Sequence, residues 1–220
     1  MINRVVGLYF SPSGGTARIT EQIATEVARS LQDKCTHGNT VQCAVYNIDD
    51  ASESMLQFDE DTVVVIGMPV RIGKLPMPAL HRISALSGGG AMTVGVVAYG
   101  AMTYGNALYE LYHYAEGQGF RVVGAGAFVA RHGGAAREQL VRPDLQDLEH
   151  IRDFSTALSG KLARLGGCEI DELRIKPAPI YIEGTLPIHR ISKISPAAAK
   201  MAERAFEKVT LIRREPEWYL

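Results

Sequence analysis

Three hydroxyl-bearing residues, Ser11, Ser13 and Thr16, cluster with Gly14 and Gly15 in the stretch Tyr9-Phe10-Ser11-Pro12-Ser13-Gly14-Gly15-Thr16-Ala17-Arg18. Residues of these types at this spacing can cradle an anion. The glycines carry no Cβ to hold it off, backbone N–H groups converge, and the hydroxyls add donors at the positive end of a following helix. The competing reading is that Ser13 or Thr16 only caps that helix. Other signature loops fit less well. The stretch has no Gly-Lys-Ser/Thr ending for a nucleoside triphosphate and no G-x-G-x-x-G for a dinucleotide. Phe10 and Ser11 precede Pro12-Ser13, so a G-x-S-x-G nucleophile elbow lacks its first glycine.

The flanking sequence supplies the frame for such a loop. Residues 5–10 form a short apolar run, and Ile19, Ile23, Val27 and Leu31 recur at four-residue spacing. A strand followed by a helix over 16–31 is the expectation. Further on, Thr62-Val63-Val64-Val65-Ile66-Gly67-Met68 is nearly continuous and β-branched, as in a parallel strand covered on both faces. It delivers a second candidate loop, Pro69-Val70-Arg71-Ile72-Gly73-Lys74-Leu75-Pro76. At the carboxyl end of a central strand such a loop is placed to meet a ligand; the alternative is an ordinary connection to a helix over 77–86.

A strand over 91–99 leads to the third loop, Tyr99-Gly100-Ala101-Met102-Thr103-Tyr104-Gly105-Asn106. An aromatic ring there can stack on a flat heterocycle while neighbouring glycines admit backbone amides to its edge. Tyr104 is the first candidate and Tyr99 the second. Tyr109, Tyr112 and Tyr114 lie on the next helix, over 107–116, and are assigned to packing. A fifth strand spans 120–130 and is followed by Arg131-His132-Gly133-Gly134, where a solvated His132 is the expectation. Arg142-Pro143-Asp144 leads into a long closing helix ending near Leu165. Residues 41–46 read as a second strand and 49–61 as a connection with at most one helical turn.

These elements predict an α/β protein with an open, doubly wound, five-stranded parallel sheet of order 2-1-3-4-5 and right-handed crossovers. With 220 residues and 46% hydrophobic content the chain can bury one sizeable core. The expected division is a domain over 1–167 and a C-terminal extension over 168–220, with an extended segment at 177–182 and a helix over 196–208. A formal net charge of −1 and the lack of a basic block disfavour nucleic acid. Cys35, Cys43 and Cys168 are isolated, which excludes an ordinary zinc or iron–sulfur framework; inert thiols are expected, with a Cys35–Cys43 disulfide left open. No apolar run reaches the roughly 18 residues of a membrane span, and no signal-peptide pattern opens the chain, so a cytoplasmic location is the expectation.

The hydroxyl-x-hydroxyl-Gly-x-Thr pattern of Ser11 to Thr16 resembles the loop that holds the FMN phosphate in flavodoxins. The stretch Gly67-Met68-Pro69-Val70 through Gly73 and Leu75-Pro76 resembles the loop along the isoalloxazine ring in one branch of that family. With Tyr99-Gly100 through Leu108 and the Arg142-Pro143-Asp144 turn, the pattern over about 5–165 is similar to bacterial and archaeal proteins in which a flavodoxin-like domain precedes a two-cluster ferredoxin domain. This chain has no cysteine beyond Cys168, so the iron–sulfur half is missing. The resemblance implies an FMN site built by Ser11, Ser13, Gly14, Gly15 and Thr16, then Pro69, Val70, Arg71, Ile72 and Gly73, then Tyr99, Gly100, Met102, Tyr104 and Gly105. It implies an electron carrier or an NAD(P)H-using reductase, with a redox protein or NAD(P)H as partner, and leaves catalytic side chains and metals out. Arg18, Arg71 and Lys74 would raise the last reduction potential if they face the flavin. The other reading is a binding or assembly module with weak or no flavin affinity. In either, the extension packs on the domain, covers the cofactor or pairs two subunits as a homodimer.

Overall fold

The computed structural model describes residues 2–34, 40–100, 103–131, 142–165, 182 and 217–220. Five parallel strands form its centre: β1 (Arg4–Tyr9), β2 (Gln42–Asn47), β3 (Thr62–Pro69), β4 (Met92–Tyr99) and β5 (Arg121–Val129). Four helices connect and close them: α1 (Gly15–Lys34), α2 (Met77–Ile83), α3 (Ala107–Gly117) and α4 (Leu145–Leu165). A three-residue strand, β6 (Glu217–Tyr219), adds antiparallel to β5, so the sheet order is β2-β1-β3-β4-β5-β6.

The expected 2-1-3-4-5 order is thus present, with one strand that the sequence reading did not contain. A run of three residues ending the chain has no periodicity to identify it. Its place is prepared on β5: a Cβ added to Gly124 would lie 2.9 Å from Leu220, and one on Gly126 would lie 3.5 Å from the Cβ of Trp218. These glycines make room for residues 218–220. Trp218 reaches across to Phe154 of α4, ring centres 5.9 Å apart.

The strands are apolar throughout because both faces are covered. Val64, Ile66 and Met68 of β3 join α2 and α3 in one core, and Val63 and Val65 join α1 and α4 in the other. Ile19, Ile23, Val27 and Leu31 are fully buried beneath the sheet, as their spacing required. Full burial of such a side chain stabilises by roughly 1.5–3 kcal/mol. That outweighs the few tenths of a kcal/mol that β-branched residues cost in a helix. Ile182 is buried in the α2–α3 core, so part of the extension packs on this domain.

Element limits differ in two places. α2 stops at Ile83 instead of reaching Leu86, because Leu86 and Ser87 leave the helix to pair Ser87 with Gln57. The 49–61 connection holds one short helical turn, Glu53–Leu56, as expected. Cys43 is a free thiol, exposed on β2. Cys35, Cys168, Met102, His132 and the 196–208 helix lie outside the described residues. Among the described residues no helix is long and apolar enough to cross a membrane, and no group of metal-ligating side chains forms.

Candidate functional site

Strand order reverses between β1 and β3, and in open α/β sheets ligands bind in the crevice outside the carboxyl ends at that point. The register brings those ends together: Tyr9 stands beside Gly67, Pro69 beside Ala98, and Tyr99 beside Val129. The connections leaving β1, β3, β4 and β5 therefore share one edge. Between them lies a cleft of about 280 Å³.

The β1–α1 loop is held from within. Ser11 Oγ accepts the N–H of Ala17 at 2.9 Å, so Ser11, rather than Ser13 or Thr16, caps α1. Gly14 donates to Ser11 O at 3.3 Å with φ +83°, a conformation that favours glycine. Among the described residues no acceptor engages the N–H of Ser13, Gly15 or Thr16, or the hydroxyl of Thr16. Thr16 is 3% exposed and lines the cleft, as does the exposed Ser13. The helix start can sit close to the sheet because two positions lack side chains. A Cβ on Gly67 would lie 1.7 Å from Thr20 Oγ1 and 3.3 Å from Thr16 Cγ2, and one on Gly15 would lie 2.9 Å from Ala130 Cβ.

The β3–α2 loop forms a tight hairpin, with Arg71 and Lys74 exchanging backbone hydrogen bonds at 2.8 and 3.1 Å. Its two central residues, Ile72 and Gly73, have φ of +52° and +69°. That pair of signs matches a type I′ turn, where a β-branched residue is under strain. The strain is over-determined by the neighbouring loop: Asn106 donates to Gly73 O at 2.7 Å, and a Cβ on Gly105 would lie 2.5 Å from the same oxygen. Gly73 and Gly105 are contact points between the two loops.

Of the residues proposed from sequence, Ser13, Thr16, Pro69, Val70, Arg71, Tyr99 and Gly100 line the cleft. Ser11, Gly14, Gly15, Ile72, Gly73 and Gly105 shape the loops behind it. Tyr99 and Tyr104 are both buried in the α2–α3 core, 2% and 8% exposed, and meet edge-on with ring centres 5.7 Å apart; of the two, Tyr99 lines the cleft. Tyr112 stays on α3, where burial first and then Glu116 push its hydroxyl up to about 12.

The cleft also contains residues that sequence reasoning passed over. Phe10 forms one wall, with the guanidinium of Arg82 stacked on its ring at 4.1 Å and held by Asp49 and Pro78 O. Ala130 and Arg131 come in from the end of β5. Phe10 was read as the last residue of a strand, and no local pattern could have placed Arg131 beside a loop more than a hundred residues earlier.

No family model matches the chain, and neither does any curated protein. Solved structures do. Oxidised flavodoxin 1 from Bacillus cereus is 19% identical, with a TM-score of 0.50 over 72% of this chain and 97% of that one. A flavodoxin from the domain Archaea is 16% identical, with a TM-score of 0.49 over 72% and 98%. The apo form of the NADH:FMN oxidoreductase EmoB is 13% identical, with a TM-score of 0.49 over 72% and 89%. The chain has the flavodoxin-like fold: a parallel sheet in the order 2-1-3-4-5 between two helix layers, here with an antiparallel sixth strand. At these identities the likeness is one of fold, and function has to be argued from the cleft.

Proposed function

We propose that the cleft binds FMN and that the protein is a flavin-dependent redox protein. One observation carries the reading. The side chain of buried Thr16 and the N–H groups of Ser13, Gly15 and Thr16, with no acceptor among the described residues, stand by one end of a cleft also lined by Pro69, Val70, Phe10 and Tyr99, which are apolar or aromatic. A phosphate suits the first end and a flat heterocycle the second. The same cleft would leave buried donors unmatched with a wholly apolar ligand, which costs about 1–3 kcal/mol for each such group.

Bound there, the flavin itself supplies the electron or hydride chemistry. The chain's own part is binding, orientation and charge. Ser13 to Thr16 hold the phosphate end, the strained hairpin at 71–74 sets one wall, and Tyr99 backs the ring plane with Tyr104 packed behind it. Arg71 places a cation at the cleft, which favours an anionic reduced ligand. The partner is a redox protein or NAD(P)H.

Adding FMN to the purified protein and following flavin fluorescence and the visible spectrum tests the reading. Saturable quenching at stoichiometric protein is the expected result; fluorescence unchanged at high micromolar protein overturns it. Mixing the loaded protein anaerobically with NADH or NADPH then separates a reductase, which bleaches rapidly, from a carrier, which does not.

A further inference from the structure

The loop over 10–17 has no basic residue of its own. The fold brings one to it from the far end of the sheet. β5 ends at Val129, and the N–H of Ala130 donates to Tyr99 O at 2.8 Å, which continues the strand line to the cleft edge. Ala130 then presses on the start of α1. A Cβ placed on Gly15 would lie 2.9 Å from Ala130 Cβ and 3.5 Å from the backbone N of Arg131. Arg131 is exposed and lines the same cleft as Ser13 and Thr16.

The receiving end is already prepared for an anion. Thr16 is 3% exposed, its methyl faces Gly67, and its hydroxyl has no partner among the described residues. This side chain is a donor independent of the helix start itself. Arg131, lining the same cleft, brings a guanidinium whose fork of donors suits two phosphate oxygens.

We infer that Arg131 is the residue that selects a phosphate monoester at this site, pairing with the terminal phosphate of the flavin beside the Thr16 hydroxyl. The inference rests on the FMN reading and extends it to the choice between phosphorylated and uncharged flavin. A guanidinium contributes charge as well as direction. Arg71 lines the same cleft from the hairpin that follows β3 and serves as the comparison cation.

The experiment measures dissociation constants for FMN and for riboflavin, by fluorescence quenching, in the wild type, Arg131→Gln, Arg131→Lys and Arg71→Gln. The expected result is a preference for FMN in the wild type and a loss of FMN affinity of roughly tenfold to hundredfold in Arg131→Gln. Riboflavin affinity stays unchanged in that variant, Arg131→Lys recovers part of the loss, and Arg71→Gln keeps the FMN-to-riboflavin ratio. An unchanged ratio in Arg131→Gln, or an equal loss for both flavins, overturns the role of Arg131 while FMN binding stands. A wild type that binds neither flavin overturns the FMN reading and this inference with it.

Discussion

The backbone N–H of Leu75 donates to Oε2 of Glu110 at 2.8 Å, joining the end of the β3–α2 loop to the first turn of α3. Glu110 is fully buried. A carboxylate on the inward face of a helix is costly without donors, and here a loop N–H supplies one. Its effect is to fix the strained 71–74 hairpin from below, while Asn106 fixes it from the side. Glu110→Ala is expected to lower stability by about 2 kcal/mol, since the Leu75 N–H loses its acceptor. Glu110→Gln, which keeps an acceptor oxygen, loses less. Urea denaturation of both variants checks this, and an Ala variant as stable as the wild type would contradict it.

The close approach of α1 to β3 depends on Gly67. A Cβ 1.7 Å from Thr20 Oγ1 cannot be absorbed without moving the helix, because that oxygen is itself tied to Thr16 O at 2.9 Å. Gly67→Ala is expected to destabilise by about 1–3 kcal/mol and to weaken FMN binding by displacing Thr16. Gly117 is the contrast: a Cβ there meets nothing within 4 Å, and its φ is not positive. Gly117→Ala is expected to leave binding intact and to raise stability by up to about 1 kcal/mol. Thermal melts with and without FMN distinguish the two.

Arg71 bears on reduction if the cleft holds flavin. Removing a cation from the cleft edge disfavours the anionic reduced form, so Arg71→Gln is expected to lower the last midpoint potential by tens of millivolts, on the order of 1 kcal/mol of charge interaction. Spectroelectrochemical titration reads the shift. A potential that is unchanged or raised counts against Arg71 facing the ring.

α4 begins with a reciprocal pair. Asp144 Oδ1 accepts the N–H of Asp147 at 3.1 Å, Asp147 Oδ2 accepts the N–H of Asp144 at 2.8 Å, and Arg142 pairs with both carboxylates. The Asp147 N–H, foremost, and the Arg142 charge hold Asp144 below the usual carboxylate range, while burial, foremost, pushes Asp147 up. The signs oppose. Native Asp144 binds fewer protons than unfolded Asp144, so its contribution is complete above pH of about 4 and is lost as pH falls through its lowered value. Native Asp147 binds more, so lowering the pH through its raised value adds stability. Asp144→Asn is therefore expected to reduce the loss of stability on acidification, and Asp147→Asn to steepen it. Denaturation midpoints between about pH 3 and 6 measure both slopes.

The last residues close an otherwise open edge. β6 covers β5 from Ala125 to Ala127, and Trp218 and Leu220 sit over the two glycines there. Ending the chain at residue 216 uncovers strand hydrogen-bonding groups beside an apolar slot. The expected outcome is a lower melting temperature with more self-association in light scattering; a shortened chain that melts and scatters like the full one would show the edge needs no cover.

Much of the fold was legible in local pattern. Continuous apolar runs such as 62–68 can only be strands buried on both faces, and the spacing of Ile19 to Leu31 can only bury one side of a helix. Alternating strands and helices imply a parallel sheet covered on both faces, with right-handed crossovers that bring the loops after the strands to one edge. The Ser-Gly loop between the first strand and the first helix stood out through its residue types alone.

Tertiary structure decided which of those residues face the cleft. The sequence put Tyr104 ahead of Tyr99 as the aromatic candidate, and packing reversed that order: Tyr99 lines the cleft and Tyr104 does not. Ser11 became the helix cap, and the Thr16 hydroxyl has no partner among the described residues. Arg131, Glu110 and β6 act across long stretches of chain, where contact depends on how strands align and helices lie against them, and no local periodicity encodes that distance.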